Sequence, residues 1–100
     1  MAATIEVDTL QGLLNGSVWF HLDLGNDVLY LREEAKRNQR TFGEETPEGF
    51  TLLQTDDGEI AGMTVLNYWR RFGSGDLNSA SIEMVKRRVA AWAQDHFRAA

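Results

Sequence analysis

Three side chains invite a chemical reading before any others. His21 and Asp23 alternate along an apolar run from Ser17 to Leu24, so as a strand they share one face. In a hairpin folded about Gly25-Asn26, the residue opposite His21 is Tyr30. A histidine, a carboxylate and a phenol on one face could form an acid/base pair or half of a metal site. Zinc needs three or four ligands, and no His-Glu-x-x-His or comparable spacing supplies them. An ordinary hydrogen bond between strand neighbours explains the pattern more simply.

Carboxylates crowd two turns. Asp23 and Asp27 flank Asn26 in the first, and Asp56 and Asp57 precede Glu59 in the second. Were both turns at one end of a sheet, they could hold a hard cation. The spacing is not that of an EF-hand loop, and turn formation explains the same residues without a ligand. Arg70, Arg71, Lys86, Arg87 and Arg88 lie near Tyr68, Trp69 and Phe72 in sequence. Charge beside aromatic rings is what a single-stranded nucleic-acid groove uses. The net charge of −5 and the lack of a binding motif favour a solvated helix face instead. There is no nucleophile elbow, phosphate-binding loop or dinucleotide fingerprint. With no cysteine, disulfides and thiolate chemistry are excluded. No catalytic residue, metal or cofactor is assigned.

Two hairpins must position these groups. The first has strands near 17–24 and 27–32, with Gly25-Asn26 in a type II′ turn. Its facing pairs are Leu24 with Asp27, Leu22 with Leu29 and Phe20 with Leu31, on a core face shared with Val18. The reverse face pairs Trp19 with Arg32, His21 with Tyr30 and Asp23 with Val28. The second hairpin has strands near 50–55 and 59–67 around Asp57-Gly58, a favoured type I′ pair. There Phe50 faces Val65, Leu52 faces Met63 and Gln54 faces Ala61 on the apolar side. Thr51 faces Thr64, Leu53 faces Gly62 and Thr55 faces Ile60 on the other, and Gly62 marks a bulge or a close approach.

A C-terminal amphipathic helix is expected at about 79–98, capped by Asn78 or Ser79. Ile82, Val85, Val89 and Trp92 form its seam, and His96 is next in step. A hinge at 73–77 precedes it, and 33–49 reads as a long surface connection with a short strand near 40–43. Residues 4–7 read as a strand, followed by a helical turn over Leu10, Leu13 and Leu14. Asn15-Gly16 is also a hairpin signal, but the helical turn is the reading preferred. The whole is a single α+β domain over 1–100, built on a small antiparallel sheet.

Charge is divided unevenly. Residues 1–60 hold twelve acids and four bases, while 61–100 hold three acids and six bases. No leader-like N-terminus or membrane-length apolar run is evident, which with the lack of cysteine suggests a cytoplasmic setting. The apolar residues exceed what one helix can hide. Trp19, Val28, Tyr30, Leu53, Ile60 and Leu66 remain on the reverse face, to be closed by curling, by the N-terminal segment or by a second molecule.

Asp23-x-x-x-Asp27-x-Leu29-Tyr30-Leu31 resembles the opening motif of the small bacterial domain-of-unknown-function family 2283. Residues 57–66, Asp-Gly-Glu-Ile-Ala-Gly-Met-Thr-Val-Leu, resemble its second motif. Leu22 stands where that family usually has an aromatic, and Thr64 where it often has Glu. The resemblance covers about residues 20–66 and implies a small antiparallel sheet. It implies no established activity, and it suggests an antitoxin-like partner role. The functional expectation is a non-enzymatic protein-interaction module, either a homodimer or one half of a small complex. Its interaction surface draws on Trp19, His21, Tyr30, Tyr68, Trp69 and Trp92. The alternatives are a small enzyme or a ligand- or metal-binding protein using His21, Asp23 and Tyr30, and nucleic-acid binding through the basic helix.

Overall fold

Period-two alternation places Val18, Phe20 and Leu22 on one side of a strand and Trp19, His21 and Asp23 on the other, and the first set is buried. This is strand β2 (Val18–Asp23) of a six-stranded antiparallel sheet. The computed structural model describes residues 9–14, 16–73, 75–77 and 80–97. The other strands are β1 (Thr9–Leu14), β3 (Val28–Glu33), β4 (Phe42–Glu45), β5 (Phe50–Gln54) and β6 (Ile60–Leu66). Their order across the sheet is β1-β2-β3-β6-β5-β4. Two helices follow, α1 (Tyr68–Phe72) and α2 (Ile82–His96).

The expected α+β architecture is present, and the first hairpin has the expected register from Trp19↔Arg32 to Asp23↔Val28. Its turn differs. The loop spans residues 24–27, and its positive φ lies at Asp27 (55°), not at Gly25. A type II′ turn on Gly25-Asn26 is therefore replaced by a wider loop. In the second hairpin, Phe50↔Val65 through Leu53↔Gly62 match. Gln54 then pairs with Ile60 rather than Ala61, because a bulge falls between Leu53 and Gln54. Gly58 alone takes a positive φ (84°), and the Thr55 amide bonds the Glu59 carbonyl, so the turn is not type I′. Gly62 has no room for a side chain: a Cβ would stand 2.5 Å from the Leu31 carbonyl.

Other segments also depart from expectation. Leu10–Leu14 is strand, not a helical turn, and the hairpin signal at Asn15-Gly16 prevails, with Gly16 at φ 73°. Asn15 itself and the strand expected at 4–7 lie outside the described residues. Within 33–49, a 3-10 turn forms at Glu34–Lys36 and β4 pairs with β5. Helix α1 forms just ahead of the hinge expected at 73–77. The expected caps Asn78 and Ser79 lie outside the described residues. Ser81 caps α2, its Oγ accepting from the Met84 amide at 3.1 Å.

Both helices pack on one face of the sheet. Tyr68 and Trp69 of α1 and Val85, Val89, Trp92 and Ala93 of α2 form one core with Phe20, Leu22, Leu29, Leu31, Phe50, Met63 and Val65. Rings organise it. Trp92 meets Phe50 edge-on at 5.4 Å and Tyr68 edge-on at 5.6 Å, and His96 stacks on Trp92 at 4.3 Å. The Trp69 indole donates to the Gly75 carbonyl at 2.8 Å and lies over Gly73, where a Cβ would run into the ring.

Two core polar atoms, the Tyr68 hydroxyl and Trp92 Nε1, have no partner among the described residues. Burial pushes the Tyr68 phenol above its ordinary 10.0, Asp27 adding to the shift and Arg88 opposing it. The folded value is raised. Stability tied to the neutral phenol is therefore complete below pH 10.0 and is lost as pH rises beyond it. Tyr68→Phe should leave stability at neutral pH unchanged or raise it by about 1 kcal/mol, and should remove this alkaline loss. Urea unfolding of both proteins at neutral and alkaline pH checks it. A clear destabilisation at neutral pH would mean that the hydroxyl makes a stabilising bond.

Candidate functional site

Antiparallel register carries the reverse-face side chains into rows that cross the sheet. One row runs Gln11, His21, Tyr30, Thr64, Thr51 and Glu45. The next runs Leu13, Trp19, Arg32, Gly62, Leu53 and Gly43. The described helices pack on the opposite side of the sheet. Among the described residues, the large apolar side chains left exposed are Leu13, Tyr30, Phe42, Ile60 and Leu66, and every one of them is on a strand.

A depression of about 410 Å³ lies on this open face, lined by Trp19, His21, Tyr30, Arg32, Arg37 and Leu53. Its rings form a chain. Trp19 and His21 are tilted at 5.7 Å, and His21 meets Tyr30 edge-on at 5.7 Å. The Arg37 guanidinium sits 5.3 Å above the Trp19 ring and pairs with Glu34 at 3.1 Å. His21 Nδ1 lies 3.3 Å from the Gln11 side-chain oxygen. Sequence register brought Trp19, His21, Tyr30 and Arg32 together correctly. It missed Arg37, which the 3-10 turn after β3 swings over Trp19. The concentration of all four basic residues of the acidic half within 32–40 was the available signal.

Tyr68, Trp69 and Trp92, the other three residues expected on an interaction surface, are on the helix side and are buried. Rings so covered cannot stack on bases. Arg88 lies 6.0 Å from the Trp69 ring, and Arg71 lies over Phe50 and Phe72 while donating to the Glu48 carbonyl. These cations serve the protein's own rings and backbone.

The carboxylates also separate. Val28↔Leu66 pairing puts the 24–27 turn at the C-terminal end of β6, whereas the 55–59 turn precedes β6, so the two acidic turns are at opposite ends of the sheet. They cannot share a cation. Among the described residues, no group of three His, Cys, Asp or Glu side chains is placed to hold a metal. Asp56 and Asp57 are exposed turn residues. Asp23 accepts from the Asn26 side chain at 2.9 Å and from its amide at 3.2 Å, and these bonds hold its carboxyl below the ordinary 3.8. It is committed to its own turn and does not line the depression with His21 and Tyr30.

Asp27 has a different task. Its Oδ1 accepts from the Trp69 amide at 2.7 Å, its Oδ2 from the Arg70 amide at 3.1 Å, and its carbonyl from the Tyr68 amide at 3.1 Å. It thus caps α1 from 42 residues away, while the adjacent Asn67 is left-handed and makes no side-chain cap.

No family model, curated protein or solved structure matches this chain. Among the described residues, no helix is long and apolar enough to cross a membrane.

Removing the Asp27 carboxylate orphans the Trp69 and Arg70 amides of α1. Asp27→Ala should cost about 1–2 kcal/mol in chemical unfolding. It should also broaden the Trp69 indole resonance, whereas Asp57→Ala should do neither. Equal stability of Asp27→Ala and wild type would refute the capping role.

Proposed function

We propose that this chain is a non-enzymatic protein-interaction module whose contact surface is the open face of the sheet. The observation that carries this is the one-sided placement of the helices. They cover one face, and Leu13, Tyr30 and Leu66 stay exposed on the other around Trp19 and His21. Apolar side chains gathered on one face are a mark of a contact surface. Aromatic rings and arginine together have the composition of interface hot spots. The chemical reading of His21, Asp23 and Tyr30 is the weaker one, because both carboxylate oxygens of Asp23 are engaged by Asn26 and Asp23 does not line the depression. A small regulatory or antitoxin-like partner is the setting that the motif resemblance implies.

Affinity isolation of the tagged protein from its native host tests this. Tyr30→Glu and Leu66→Glu should each reduce the retained partner at least tenfold while unfolding midpoints stay near wild type. Arg87→Glu, on the outer face of α2, should retain it. Retention by both open-face variants, or loss only with Arg87→Glu, would move the contact surface elsewhere.

A further inference from the structure

We propose that the depression on the open face seats an acidic peptide segment of a protein partner. A carboxylate engages Arg32, and a neighbouring apolar or aromatic side chain packs against Trp19 and Leu53. This inference rests on the open face being the contact surface and names what that surface takes.

Arg32 is half-buried on a central strand. Its Nη2 donates to the Gln39 carbonyl at 3.0 Å, but it has no carboxylate partner among the described residues. Its Nε is shut off from solvent and makes no hydrogen bond there. Its basic neighbours are supplied: Lys36 pairs with Glu59 at 3.5 Å and Arg37 with Glu34 at 3.1 Å. Partly burying a guanidinium without an anion is costly, and a carboxylate relieves that cost through short, charge-assisted bonds.

The depression of about 410 Å³ that Arg32 and Leu53 line is the room for such a group. Gly62 lies between Arg32 and Leu53 in the same row, and a Cβ there would come within 3.1 Å of Arg32 Cδ and of Leu53 Cδ1. The missing side chain lets Arg32 and Leu53 close over the strand from either side and meet as one floor of the depression.

Charge selects among occupants. The four bases of residues 1–60 all fall within 32–40, on a half-chain that carries twelve acids. The positive potential is therefore local, and at physiological salt charges beyond about 8 Å are largely screened. A nucleic-acid strand needs a longer positive track. Across β5 and β4 it would meet Glu45, and past the start of β6 it would meet Asp56, Asp57 and Glu59. A second copy docked with its two-fold axis through the depression would set one arginine site against another. A short segment with one or two carboxylates meets neither obstacle.

NMR titration of the full chain with a capped Leu-Glu-Phe-Glu-Leu pentapeptide tests the proposal. Saturable shifts are expected at the Trp19 indole, the Arg32 side-chain Nε–H and the Leu53 amide. The version with glutamine in place of glutamate should bind roughly tenfold more weakly or worse, and so should Arg32→Gln protein that keeps a dispersed spectrum. Because the glutamine peptide leaves the protein unaltered, misfolding cannot mimic its effect. The inference is overturned by absent or scattered shifts at millimolar peptide, by equal binding of the two peptides, or by an unaffected Arg32→Gln. It is equally overturned if an oligothymidylate binds the same face more tightly, or if sedimentation shows a dimer formed through that face. If the peptides fail while Tyr30→Glu still loses the native partner, this inference falls alone. If the partner is also retained, the open-face reading falls with it.

Discussion

The structure depends on one residue held in a costly conformation. Asp27 closes the first hairpin with φ at 55°, a region that side-chain-bearing residues seldom enter. Its carboxylate and carbonyl together accept the first three amides of α1. A five-residue helix has almost no stability of its own. Anchored at Asp27, it fixes Tyr68 and Trp69 in the core and Phe72 against Trp92. Trp92 in turn gives α2 its seat over Phe50. The tip of a hairpin thus decides which side of the sheet the helices cover.

Covering one side leaves a functional asymmetry. Tyr68, Phe20, Leu22, Leu29 and Val65 are almost wholly buried on the helix side, each side chain of this kind contributing about 1.5–3 kcal/mol through burial. The same strands turn Trp19, His21, Tyr30 and Arg32 to the other side, where no described helix lies. With Arg37 and Leu53 they line a hollow there. A fold held together from one face thereby keeps an aromatic, cationic surface available on the other.

Much of this could be read from the residues, and the exceptions have physical causes. Period-two alternation gives the first hairpin's register, where a one-residue slip would exchange Phe20 and Leu22 for His21 and Asp23 in the core, and the second's as far as the bulge after Leu53. The grouping of Trp19, His21 and Tyr30 followed from that register. The capping role of Asp27 was not legible, since local turn chemistry explains an aspartate there and its partners are over forty residues distant. The β1 segment was ambiguous because Leu10, Leu13 and Leu14 fit a helical spacing, and only pairing with β2 decides for a strand. Tyr68, Trp69 and Trp92 have the same composition as an exposed aromatic patch. Their burial depends on how α1 and α2 cross the sheet, which sequence spacing does not specify.

The central claim is that the two faces divide the labour, helices on one and a partner on the other. Hydroxyl-radical footprinting of the free chain and of its native complex addresses that claim most directly. The account predicts that Trp19, Tyr30 and Leu66 are labelled in the free chain and protected in the complex, while labelling of Met84 on α2 is unchanged. Protection confined to α2, with Trp19, Tyr30 and Leu66 labelled equally in both states, would contradict it.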